Sequence, residues 1–120
     1  MAKNDYHVLA YRLLAYLYAC LKDDVQPDLD YLRFNTNHFP IGEVYWHYLL
    51  ENLLLEGFIT GVVLVPIPGR LDKGIKIQPN IRITPAGIEY MKENSSMEKA
   101  KVFLTGLKEV VPGLLGLLNM

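Results

Sequence analysis

Three histidines (His7, His38, His47) and one cysteine (Cys20) are the residues best suited to hold a metal or act as nucleophile and base. Their spacing supports neither role. Ligands on a metal-binding helix recur three or four residues apart, and these histidines are widely separated. Cys20 falls on the apolar spacing of a helix, where a thiol is ordinarily inert packing. A lone cysteine forms no internal disulfide and no cysteine-rich zinc site, which suits a reducing, cytoplasmic setting. Asp28 and Asp30 are two residues apart and would face different sides of a helix, so they make no acid–base pair. Gly69 and Gly74 read as turn residues, not as a phosphate-cradling loop. The sequence therefore predicts a non-enzymatic protein with no cofactor and no metal.

Charge is the next chemistry to place. There are 12 Lys and Arg against 13 Asp and Glu, for a net charge of −1. The half through Phe58 is acidic and the remainder basic. Arg70, Lys73, Lys76 and Arg82, opposed only by Asp72, concentrate positive charge over residues 66–82. With Arg33 and His38 they are the candidate DNA contacts, because phosphate and base recognition rests heavily on cations. A solvated hairpin whose lysines guard a strand edge is the competing reading of the same charges. Residues 42–57 carry Glu43, Glu51 and Glu56 and no Lys or Arg. Such a segment is repelled by a polyanion. Its outward residues Tyr45, Tyr48, Asn52 and Leu55 suit a protein partner better.

These groups depend on the elements that carry them. The chain has 120 residues, 51% of them apolar, and a mean hydropathy of +0.13. That length and composition fit one compact domain and exclude disorder as the main state. No signal peptide and no membrane-spanning segment is expected. Tyr6, Leu9, Leu13, Tyr16, Leu17, Cys20 and Leu21 follow helical spacing, with Asn4 or Asp5 as cap. Pro27 to Phe34 reads as a short second helix, and residues 35–40 as a turn. A third helix runs from residue 41 or 42 to Glu56 and stops at Gly57. Two or three antiparallel strands follow: 62–65, then 75–78 and 81–83. Thr84-Pro85 opens a helix to Glu93. Ser95 and Glu98 form a capping box for a last helix with an apolar stripe.

Three helices, a β-hairpin and further helices make an α+β chain in the order of a winged helix-turn-helix: residues 1–94 as the domain, 95–120 as C-terminal helix and apolar tail. Leu54, Gly57, Ile59 and Gly61, then Ile83, Thr84, Gly87, Tyr90, Glu93, Asn94, Ser95 and Lys99, resemble the YjcQ-like family of small bacterial and phage-related proteins. The resemblance implies a winged-helix-like fold, and it carries no assigned activity and no functional residues. Phe103, Leu104, Leu107, Val111, Leu114 and Leu115 are a candidate homodimer interface. The tail could equally pack within the chain or lie on a membrane surface, though it is too short to span one. Two functions are in view: a DNA-associated regulatory or accessory protein acting through its wing, and a protein-interaction module that keeps the fold without binding DNA.

Overall fold

The computed structural model describes residues 5–69 and 73–93. The chain is α+β: helix α1 (Tyr6–Lys22), helix α2 (Glu43–Leu55), strands β1 (Ile59–Pro66) and β2 (Lys73–Ile83), and helix α3 (Pro85–Glu93). Two helices precede the hairpin. Among the described residues no helix is long and apolar enough to cross a membrane.

α1 is the central pillar. Its buried residues, from Val8 to Cys20, wrap well beyond one stripe. Ala10, Ala15 and Ala19 are small enough for neighbouring segments to close around the helix, and a helix apolar on most sides belongs inside a core. Asp5 occupies the cap position, but its side chain makes no capping bond.

The short helix expected over residues 27–34 is replaced by turns. Side chains here outcompete a helical ladder. The Asp28 carboxylate accepts the Asp30 N–H at 2.9 Å, and the Tyr16 hydroxyl accepts the Asp28 N–H at 2.9 Å. A segment this short nucleates poorly when its donors are already taken. Its apolar residues still reach the core: Tyr31, Leu32, Phe39 and Ile41 are buried. Tyr31 is stacked between Tyr16 and His38, with ring centroids 4.4 and 4.2 Å away.

α2 buries Trp46, Leu49, Leu50 and Leu53, the spacing of one helical face. It ends as the sequence predicts. Gly57 takes a left-handed φ of 78°, Phe58 N–H bonds to Leu53 O, and Gly57 N–H bonds to Leu54 O. That pair of bonds is the Schellman termination.

The hairpin pairs Ile59 with Ile83 and Thr60 with Arg82, then resumes at Val62 with Ile77. Gly61 thus faces a bulge made by Gln78–Ile81. A Cβ on Gly61 would lie 2.4 Å from the Ile81 Cα. The bulge shifts the in–out alternation by one residue, so Ile59 and Val62 are both buried although Thr60 is exposed. Pro79 and Asn80 lie within one strand and do not divide it.

α3 is fastened to the end of α2. Thr84 N–H bonds to Phe58 O, its hydroxyl donates to Gly57 O at 2.5 Å, and the same oxygen accepts the Gly87 N–H at 3.1 Å. A Cβ on Gly87 would lie 2.3 Å from Phe58 O. Glycine alone allows that approach.

Candidate functional site

The junction brings the first turn of α1, the outer flank of α2 and the middle of α3 around an open basin of 480 Å³. Tyr45, Tyr48 and Asn52 recur at helical spacing along α2, and Tyr6 and Tyr90 close the basin from the other two helices. The rings meet at angles from edge to face to stacked. Tyr6 meets Tyr48 at 5.9 Å and 77°, and Tyr45 meets Tyr48 at 6.5 Å. Phe58 and Tyr90 stack at 4.5 Å, and His7 Nδ1 shares a hydrogen bond with the Tyr90 hydroxyl. Such offset and edge contacts satisfy the aromatic quadrupoles while leaving some faces open.

Glu56 puts a carboxylate in the described wall of the basin. Burial, then the neighbouring Tyr90, Tyr48 and Glu56, push the Tyr6 phenol up to about 12. Tyr90 is raised by burial and then by Glu56, and Tyr45 by burial and then by Asp5 and Tyr48. These phenols therefore stay protonated at neutral pH, with carboxylates beside them. The Asn52 amide donates to Tyr48 O at 2.8 Å, so its Oδ1 remains as an acceptor. Among the described residues no Lys or Arg lines the basin.

The four residues read from sequence as a partner surface lie on one helix. Tyr48 and Leu55 are exposed, and Tyr45 and Asn52 are half-buried at the basin wall. Sequence reasoning missed Tyr6, His7, Phe58 and Tyr90, which only the tertiary fold brings there. The appearance of Tyr90 among the family-motif residues was the one available signal.

The candidate DNA contacts sit elsewhere. Lys76 is exposed on the hairpin opposite Val63, and Arg82 is exposed opposite Thr60. Arg33 is exposed in the loop between α1 and α2. His38, in the same loop, is half-buried against Tyr31, and burial, then the nearby Arg12, lowers its pKa toward the neutral imidazole. It is a packing ring more than a cation. Arg70 and the Lys73 side chain lie outside the described residues, as do the candidate dimer residues from Phe103 to Leu115.

Cys20 is buried and its thiol is pushed up by burial. His47 is half-buried on α2, 3.8 Å from the Glu43 carboxylate. Among the described residues no group of three or more His, Cys, Asp or Glu could hold a metal ion. A second depression of 380 Å³ lies between the end of α1 and the β2 bulge, with mainly apolar walls including Leu17, Val25 and Ile81.

No curated protein and no solved structure matches the chain significantly. Residues 11–110 match the family model described as YjcQ protein. The motif residues Gly57, Gly61, Thr84 and Gly87 are those that fasten α2, the hairpin and α3 together, and the chain belongs to the YjcQ protein family.

Proposed function

We propose that this chain is a non-enzymatic protein-interaction module on a winged-helix-like scaffold, with its contact surface on the outer side of α2 and the adjoining basin. One observation carries the reading. α2 exposes Val44 (80%), Leu55 (69%) and Tyr48 (56%) and has no Lys or Arg. In a DNA-reading winged helix the helix ahead of the wing enters the major groove and needs cations there. Glu43, Glu51 and the adjoining Glu56 oppose that approach, while exposed aromatic and aliphatic groups favour a protein chain.

A second reading has its own support. Lys76 and Arg82 on the exposed hairpin face suit a DNA-associated regulatory or accessory role through phosphate contacts. The two readings separate cleanly. A photocrosslinking residue at Val44 or Leu55, introduced in cells, gives discrete protein adducts that Tyr48→Asp abolishes and that a control at Lys92 lacks. The interaction reading fails if adducts at these positions match the control while the purified protein retains mixed-sequence duplex at low salt. Homodimerisation through Phe103, Leu104 and Leu107 is a further proposal, and a sedimentation mass of one chain at tens of micromolar rejects it.

A further inference from the structure

We propose that the tyrosine basin receives an arginine side chain of a partner polypeptide. The inference deepens the interaction reading and rests on it. Three features select the ligand.

The first is sign. The walls are aromatic, their negative faces attract cations, and no Lys or Arg is among the described lining residues. Glu56 lines the basin close enough to raise both Tyr6 and Tyr90, and Asp5 acts on Tyr45. An anionic ligand is repelled by the same groups. A neutral apolar one gains nothing from the carboxylates.

The second is hydrogen bonding. Glu56 offers a carboxylate, and Asn52, with its amide held by Tyr48 O, offers Oδ1. Two acceptors beside aromatic walls match a group that is planar, positive and rich in in-plane donors. Guanidinium is that group: it stacks on a ring while donating at its edge. A quaternary ammonium has no donor for either acceptor, and a lysine ammonium is more strongly hydrated and lacks the planar face.

The third is access. Tyr48 lines the basin and is exposed on the same helix as Leu55, so a chain covering the outer side of α2 passes beside the basin. A side chain entering from a partner's backbone needs no rearrangement of the helices.

The test uses the full chain and N-acetyl-arginine methylamide, with side-chain signals of Tyr6, Tyr48 and Asn52 followed by NMR. Saturable shifts with a dissociation constant in the range of roughly millimolar are expected, as for one side chain in an open site. The citrulline analogue, equal in shape but uncharged, should give none, and the lysine analogue should bind several-fold more weakly. Glu56→Gln should weaken the arginine probe about tenfold, as loss of a charge-assisted hydrogen bond would. Tyr48→Phe should retain binding and Tyr48→Leu should reduce it. Both positions are exposed, so unchanged amide dispersion from the core establishes that the variants fold. Equal binding of citrulline, tighter binding of phosphocholine, or no shift at tens of millimolar arginine probe overturns the assignment. If crosslinks at Leu55 persist despite that failure, the interaction surface survives without the arginine; loss of both removes the surface as well.

Discussion

The outer side of α2 and the outer face of the hairpin differ in the chemistry they offer. α2 shows Val44, Tyr48 and Leu55 among glutamates, whereas the hairpin shows Lys76 and Arg82. A protein that read DNA with both elements would carry cations on both. Here the same scaffold holds an apolar, acidic face beside a basic one. Separate partners, or one partner of mixed charge, fit that division better than a single continuous polyanion. What fixes the two faces relative to each other is the junction at Gly57, Thr84 and Gly87, so the comparison is best broken there first.

The largest effect is expected from Gly87→Ala. The added carbon would meet the Phe58 carbonyl oxygen at 2.3 Å and Ile83 Cγ1 at 2.8 Å, and the first partner is backbone. Relief requires α3 to move off the end of α2. A loss of about 3 kcal/mol, the upper end of overpacking costs, is expected in urea unfolding. The Phe58–Tyr90 stack should also loosen, altering the Tyr90 ring signals while Trp46 in the core stays as it was. Stability within about 0.5 kcal/mol of the parent, the usual range for a neutral surface change, would show that the junction does not constrain the basin.

Thr84→Ala acts on the same fastening more gently. It removes the cap on Gly87 N–H and the hydroxyl bond to Gly57 O. About 1–2 kcal/mol is expected, and serine should restore most of it, since the hydroxyl and not the methyl does the capping. Failure of serine to rescue would place the effect in packing.

Why this junction could be read ahead of the structure, and the basin could not, follows from which interactions are local. α2 was legible because Trp46, Leu50, Leu53 and Leu54 suggest one apolar face with no proline and Gly57 closes it, although the structure buries Leu49 and leaves Leu54 half-buried. Thr84-Pro85 marked α3 in the same way. Residues 27–34 misled because a leading proline and spaced leucines imitate a helix, while the deciding bond to Tyr16 comes from another element. The phase shift at Gly61 was equally hidden, since it depends on a bulge far along the chain in β2. Of the residues lining the basin, Tyr45, Tyr48 and Asn52 lie on α2, and helical spacing alone groups them on its outer side. Spacing puts Tyr6 on the core face of α1, and only the docking of α3 makes that position a wall of the basin.

Charge substitution sharpens the comparison without touching the core. Glu51→Arg combined with Leu55→Arg gives α2 the cations it lacks, at two exposed positions. Stability should change by no more than about 0.5 kcal/mol. Retention of mixed-sequence duplex should appear or rise at low salt, and fade steeply as salt is added. Lys76→Glu with Arg82→Glu in that background should remove it again. If the arginine-bearing α2 still ignores DNA, this helix does not approach a groove in the way a winged helix requires.

The smallest effect concerns whether the loop before α2 extends the basic face. Arg33 is exposed there, but His38 stacks on Tyr31, and burial, then Arg12, lowers its pKa from the usual value. The sign follows from the two states. In the unfolded chain His38 protonates as pH falls through about 6.5, while the folded protein resists taking that proton. Stability is therefore full above that pH and declines below it, levelling off once the folded imidazole also titrates. Half exposure keeps the decline small. In an NMR titration the His38 ring should remain neutral to lower pH than an unfolded-peptide reference. Substituting Arg12→Met, which keeps the buried stem and removes the charge, should raise its midpoint. A midpoint above 7 would instead make His38 mostly a cation at neutral pH and add it to the basic residues Lys76 and Arg82.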